Sequence, residues 1–181
     1  IEREALRIRD IVQNLLALTP QKNAADALVD VNRVVDSALG LMTRPIVAAR
    51  IQVKKELDAN LPKIRGRASD LQQSVVALLS NARNAMPDGG TLTVSTRSVD
   101  GKLIKLLVED TGPGIAPEIM DRIFEPFFTT KPTPDSKGLG LAMVHRVVQD
   151  HGGKIAVDSG PGRGAAFSIT LTAAREKTHL V

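Results

Sequence analysis

Two short segments in which apolar and polar residues nearly alternate, Thr91–Ser98 and Leu103–Glu109, are separated only by a turn around Asp100-Gly101. Alternation at period two is the mark of a strand with one face buried, and an Asp-Gly step between two such strands signals a hairpin. Hairpin strands are antiparallel neighbours, so an all-parallel, doubly wound sheet is excluded. A second pair, Lys154–Asp158 and Ala165–Thr172, flanks the turn Gly160–Gly164. Helical periodicity appears between and before the hairpins, at Asn32–Met42, Leu71–Met86 and Leu139–Asp150. The expected architecture is an α/β (α+β) sandwich: a mixed, mostly antiparallel sheet with helices on one face.

Local signals place the remaining boundaries. Ala27–Val31 reads as a short strand, with Asp30 as N-cap of the following helix and Pro45 interrupting or restarting it. Ile51–Leu57 alternates as a half-buried strand, and Ser69-Asp70-Leu71-Gln72 reads as a capping box that starts the next helix. Pro117–Phe124 holds one short helix in an otherwise irregular stretch, and His151-Gly152-Gly153 closes the last helix. Residues 1–18 read as one separate helix. Its seam of Ile1, Ala5, Ile8, Val12 and Leu15 recurs at spacings of four and three, which suits either packing on its own domain or an intermolecular bundle. Thr19-Pro20 ends it. The expected organisation is therefore a helix over 1–19, a linker over 20–25, a main domain over 26–173 and a tail over 174–181.

Composition removes several function classes. The chain of 181 residues has no cysteine, which excludes thiolate metal sites and cysteine nucleophiles and fits a reducing, cytoplasmic setting. No apolar run approaches the roughly 18 residues of a membrane span, so direct membrane contact by this segment is not expected. Aromatic residues are 2% of the chain, too few for the stacking platforms of single-stranded nucleic-acid binders, and no nucleic-acid partner is expected. A net charge of +4 suits a polyanionic nucleotide and an ordinary solvated surface equally. The chain begins at Ile1, which reads as a piece of something longer.

Four segments carry candidate chemistry. On the helix Leu71–Met86, Asn81 and Asn84 are three residues apart, so both can point toward one space. Asn carbonyl oxygens suit magnesium, although two exposed Asn on a helix are also ordinary solvated residues. Asp110 follows a strand and precedes Thr111-Gly112-Pro113-Gly114-Ile115; its carboxylate can accept from an exocyclic amine, and the glycines let backbone pass close to a flat ring. A plain turn has the same composition. Phe124, Phe127 and Phe128 fall within five residues, as the anchor of a mobile lid or as a satellite core cluster. Lys137-Gly138-Leu139-Gly140-Leu141 opens a helix, where free amides and the dipole attract anions, but it lacks the order of a Walker loop.

In this order the segments LLSNARNAMPDGGTL (78–92), VEDTGPGI (108–115), IFEPFFTTKP (123–132) and KGLGLAMVHRVVQDHGG (137–153) resemble the N, G1, F and G2 boxes of sensor histidine kinases. That family shares a superfamily with gyrase, MutL and heat-shock chaperone ATPases. The text is similar to the nitrogen-regulation and oxygen-sensing branch over about residues 26–172. The resemblance implies an ATP-binding catalytic domain that uses ATP and Mg2+, acts on a histidine, and passes the phosphate to a response regulator. It implies that Asn81 binds magnesium, Asp110 holds the adenine amino group, and Gly112 and Gly114, with Ile115 beside them, shape the base pocket. Gly138 and Gly140, with the amides of Leu139 and Leu141, would cradle phosphates. Lys131 or Lys137 would neutralise them, and Phe124, Phe127 and Phe128 would anchor the lid. The helix over 1–19 would be the second helix of a dimerisation and phosphoacceptor hairpin, giving a homodimer in the full bundle.

The chain departs from the pattern in four places. Ala77 stands one turn before Asn81, where related ATPases carry a base Glu, which counts against a gyrase-like or chaperone-like hydrolase. Asn84 replaces a commonly charged residue, and Pro134-Asp135-Ser136 replaces glycines before the second glycine box. None of His145, His151 and His179 is followed by an acid on a hairpin helix, so the acceptor histidine is expected upstream of Ile1. The competing expectation is a kinase-like scaffold without transfer activity.

Overall fold

The computed structural model describes residues 27–130 and 138–174. The helix over 1–18 with its seam, the linker 20–25, Lys131, Pro134-Asp135-Ser136, Lys137 and the end of the tail lie outside the described residues.

Chain order is β1 (Ala27–Val29), α1 (Val31–Ala48), β2 (Ile51–Leu57), β3 (Ile64–Gly66), α2 (Ala68–Ala85), β4 (Gly90–Val99), β5 (Leu103–Asp110), a 3-10 helix (Pro117–Arg122), α3 (Gly140–Asp150), β6 (Lys154–Ser159) and β7 (Ala165–Thr172). The main sheet has five strands in the order β2-β4-β5-β7-β6. Only β2–β4 is parallel; β4–β5, β5–β7 and β7–β6 are antiparallel. Both expected hairpins are present, and the sheet is mixed as their turns require.

All three described α-helices cover one face. Leu92, Val94, Ile104, Leu106, Val108, Phe167, Ile169 and Leu171 meet Val35, Ala38, Val75, Leu78, Leu79, Val144 and Val148 in one core. The alternate residues of the strands, among them Arg97, Lys105, Glu109 and Thr170, face the other way. Burial of that apolar surface is the main force holding the layers together. A polar pin adds specificity at the β2 end: Asn32 donates to the Asp58 carbonyl (2.8 Å), Thr96 Oγ1 donates to Asn32 Oδ1 (2.7 Å), and the Asp58 amide donates to Thr96 Oγ1 (3.1 Å).

Several local expectations are corrected by tertiary context. Asp30 caps α1 by accepting from the Arg33 amide, but the strand before it stops at Val29 and the helix starts at Val31. Pro45 neither interrupts nor restarts α1, which continues to Ala48. The Ser69 capping box is not formed: Arg67 is the N-cap of α2 without a side-chain cap bond, and Ser69 Oγ donates instead to Asp70 Oδ1. The Arg67 amide is already taken by the ring of His151 (3.0 Å), which lets the helix begin earlier than its own sequence suggests. β2 is less buried than its alternation implies, because it is an edge strand; only Ile51 is fully buried, and Lys55 reaches Asp36 of α1 at 2.8 Å. β3 carries no period a reader can detect in three residues. Pairing with β1, and a bridge from Ile64 to Ala173, make it a strand.

Candidate functional site

α2 turns Leu71, Val75, Leu78, Leu79 and Ala82 into the core, leaving Ala77, Asn81 and Ala85 along one flank at helical spacing. Neighbouring glycines mark what that flank faces. A Cβ placed on Gly140, at the start of α3, would meet the Ala77 Cβ at 3.9 Å. A Cβ on Gly112 would lie 3.0 Å from both the Cβ and the carbonyl oxygen of Ala85. Asn81 is half-buried midway between them. The flank thus runs about 12 Å from the end of β5 to the first turn of α3.

Asn84 lies one turn beyond Asn81. It is exposed, and its Oδ1 accepts from Arg83 Nε (3.2 Å) and Nη2 (2.6 Å).

Asp110 ends β5 as an inward-facing residue, 4% exposed, between Leu92 and Ala165 on the flanking strands. Its Oδ1 accepts from the Gly112 amide at 2.8 Å, an Asx-type turn that aims the carboxylate along the loop. Thr111 ties the loop to β4, its amide donating to the Thr91 carbonyl (3.2 Å) and its Oγ1 accepting from the Thr91 amide (3.0 Å). Gly114 has φ +79°, and a Cβ there would strike the Gly160 carbonyl.

The loop is clamped by the β6–β7 turn, which the sequence marks only as a hairpin connection. Gly162 donates to the Pro113 carbonyl (2.7 Å), the Ile115 amide donates to Ser159 Oγ (2.9 Å), and that hydroxyl donates to the Gly164 carbonyl (2.6 Å). The overlooked signal was the density of glycines at Gly160, Gly162 and Gly164, more than a hairpin turn demands.

The aromatic segment divides. Phe124 is half-buried, 5.4 Å from the ring of His145 on α3. Phe128 packs against the core under the Arg122 guanidinium, 4.4 Å from its ring centroid. Phe127 is 66% exposed with φ +67°, an uncommon conformation for a side chain of that size. Its amide donates to the Gly138 carbonyl (2.9 Å), and a Cβ on Gly138 would strike the carbonyls of Phe127 and Phe128. The Phe turn and the first glycine of the second box are therefore in contact, bracketing residues 131–137.

Leu139, buried at 4% exposure, anchors the start of α3, and half-buried Leu141 packs on the core. Gly140 is exposed, and Leu139 provides no side-chain cap. First-turn amides so placed are suited to an anion. Among the described residues no group of three His, Cys, Asp or Glu is placed to hold a metal, and no helix is long and apolar enough to cross a membrane. A groove of about 690 Å³ at the other end of α2, lined by Leu28, Arg33, Lys63 and Gly66 among others, includes none of the expected site residues.

Residues 66–175 match the model of the family described as histidine kinase-, DNA gyrase B-, and HSP90-like ATPase. The chain is 37% identical over 169 residues to the sensor histidine kinase ZraS of Escherichia coli (strain K12), covering 93% of this chain and 36% of that protein, about a third of its length. Among solved structures it is similar to the mycobacterial sensor histidine kinase MprB (31% identity, TM-score 0.74, 83% of this chain and 99% of that one). It is also similar to full-length ShkA, solved in complex with AMPPNP (28% identity, TM-score 0.80, 93% of this chain and 35% of that one).

Proposed function

Because the chain belongs to the histidine kinase-, DNA gyrase B- and HSP90-like ATPase family, we propose that it binds magnesium-ATP along α2 and presents the γ-phosphate to a histidine supplied by another segment or chain. The observation that carries this reading is the pair of glycines at the two ends of one helical flank, Gly112 against Ala85 and Gly140 beside Ala77. Backbone without side chains approaches the flank at both ends, about 12 Å apart, a span that suits an adenine nucleotide.

Asp110 accepts a hydrogen bond from the adenine amino group, and Gly112, Gly114 and Ile115 form the wall of the base pocket. The amides of Gly138, Leu139, Gly140 and Leu141 hold the phosphates, with Lys131 or Lys137 adding positive charge. Asn81, an oxygen donor midway along the flank, is placed for Mg2+, which would neutralise phosphate charge alongside waters and the phosphates themselves. Phe124 and Phe128 anchor the lid, and exposed Phe127 forms its outer edge. An imidazole nitrogen of the incoming histidine attacks the γ-phosphorus as the bond to the β-phosphate oxygen breaks and ADP leaves. Such transfer depends on positioning and charge neutralisation rather than on an enzyme base, in keeping with Ala77.

The described histidines are poorly suited as acceptors. His145 lies against Phe124 with Nε2 3.4 Å from Gln149 Nε2, and both ring nitrogens of His151 are engaged by backbone. We place the chain in the nitrogen-regulation and oxygen-sensing branch, working in the cytoplasm as a homodimer joined through the helix over 1–19, with a response regulator receiving the phosphate. The likeness to ZraS and ShkA supports this kinase reading over a scaffold without activity.

The test is a calorimetric titration with ATP, with and without magnesium, beside Asp110→Asn. Binding that tightens with magnesium and falls at least roughly tenfold in folded Asp110→Asn is expected, as for loss of a charge-assisted hydrogen bond. A folded wild-type chain with no affinity for ATP would favour the scaffold.

A further inference from the structure

We infer that His151 is a positioning residue that sets the register of α3 against α2, and so the place of the phosphate-holding amides relative to Asn81. The inference rests on the nucleotide reading of the α2 flank. His151 Nδ1 lies 2.7 Å from the carbonyl oxygen of Val147 in its own helix, and Nε2 lies 3.0 Å from the backbone amide of Arg67. An amide can only donate, so Nε2 accepts, and Nδ1 carries the ring hydrogen and donates it to Val147. One rigid ring therefore joins the last turn of α3 to the residue that starts α2.

The end of α3 does not need this bond as a cap. The amides of His151, Gly152 and Gly153 already donate to Val147 (3.1 Å), Gln149 (2.8 Å) and Val148 (2.9 Å). The link to Arg67 is additional and runs between elements. The space the ring fills is reserved for it: a Cβ on Gly66 would overlap the ring at Cδ2 and lie 2.6 Å from Nε2. Gly66 is outside the left-handed region, so the ring, not the backbone conformation, is what excludes a side chain there.

The second close approach lies at the far end of the same antiparallel pair, where a Cβ added to Gly140 would come within 3.9 Å of the Ala77 Cβ. Ala77 is ten residues past Arg67 (77 − 67), and Gly140 is eleven before His151 (151 − 140). Two points of approach about 15 Å apart define register as well as spacing, and only the His151 end is held by a hydrogen bond. A slip of α3 by a single residue would move the Gly138–Leu141 amides about 1.5 Å, enough to spoil hydrogen bonds to a phosphate.

The test compares ATP affinity with thermal unfolding in the whole chain and five variants: His151→Ala, His151→Asn, His151→Gln, Gly66→Ala, and Gly66→Ala with His151→Ala. Asn retains a donor near Val147 but does not reach Arg67, whereas Gln places an acceptor there. Folded His151→Ala and His151→Asn are expected to bind ATP roughly tenfold more weakly, and His151→Gln to recover most of the loss. Gly66→Ala should weaken binding alone yet add nothing to His151→Ala. A lower melting temperature with unchanged ATP affinity in the Ala and Asn variants would reduce His151 to a stabilising contact and overturn the inference. So would an equal cost of Gly66→Ala in both backgrounds. Absence of ATP binding by the folded wild-type chain is a different failure, that of the nucleotide reading on which this one rests.

Discussion

Gly164 closes the β6–β7 turn at φ +72°, its Cα so close to the Asp110 carbonyl that a methyl group would overlap that oxygen. Gly164→Ala should cost roughly 2 kcal/mol or more in urea unfolding, since it combines a left-handed backbone with a collision. Asp58 acts on a different axis. The amides of Asn60 and then Ser98 donate to its carboxylate and hold it below its ordinary value of 3.8, burial opposing them weakly. A depressed folded value stabilises the fold above 3.8, and that contribution is lost as pH falls through the folded value. Urea midpoints measured at about pH 5 and about pH 2 should therefore fall less for Asp58→Asn than for wild type. Legibility differs sharply among the single residues. Asp110, Gly112 and Asn81 stood out because their types are chemically pointed and their neighbours ordered. Ser159 and the Arg67–His151 link were invisible, because each works through a backbone group brought from 44 to 84 residues away.

At the scale of elements, α1 shows why a breaker is not always a break. Pro45 removes the donor that would meet the carbonyl of Leu41, and Leu41 is 65% exposed, so water can satisfy that carbonyl. The next turn still closes, with the Ala49 amide bonded to the Pro45 carbonyl at 3.2 Å. Pro45→Ala should therefore stabilise the chain by about 1–2 kcal/mol in denaturant unfolding, the restored helix bond outweighing the freer unfolded chain. A loss of stability instead would mean the ring packs better than a methyl group does. The capping box at Ser69 failed for the opposite reason. Its local signal was sound, but β3 and His151 delivered the chain to Arg67 already placed to begin a helix. Long periodic segments are legible: β4, β5 and β7 fall within one residue of the boundaries their patterns imply, and α2 within three. Three-residue β1 and β3 carry too little pattern to announce a pairing.

For the whole molecule, the proposed homodimer makes its own prediction. With the full bundle present, light scattering should give twice the single-chain mass, and the single mass for the Ile8→Asp, Val12→Asp double variant, because a charge in each of two seam layers opposes burial. An unchanged mass would remove the bundle reading of residues 1–19. The sequence by itself determined that the sheet is mixed, that helices cover one face of it, and in what order the four chemical segments come. Those properties follow from periodicity, turn chemistry and residue type, all of which act over a few neighbours. Tertiary structure alone decided that Gly112 and Gly140 approach the same flank of α2. It also decided that a turn near the end of the chain clamps the Asp110 loop. These are contacts between elements far apart in the chain, set by how layers pack to bury the core, and no local pattern encodes them.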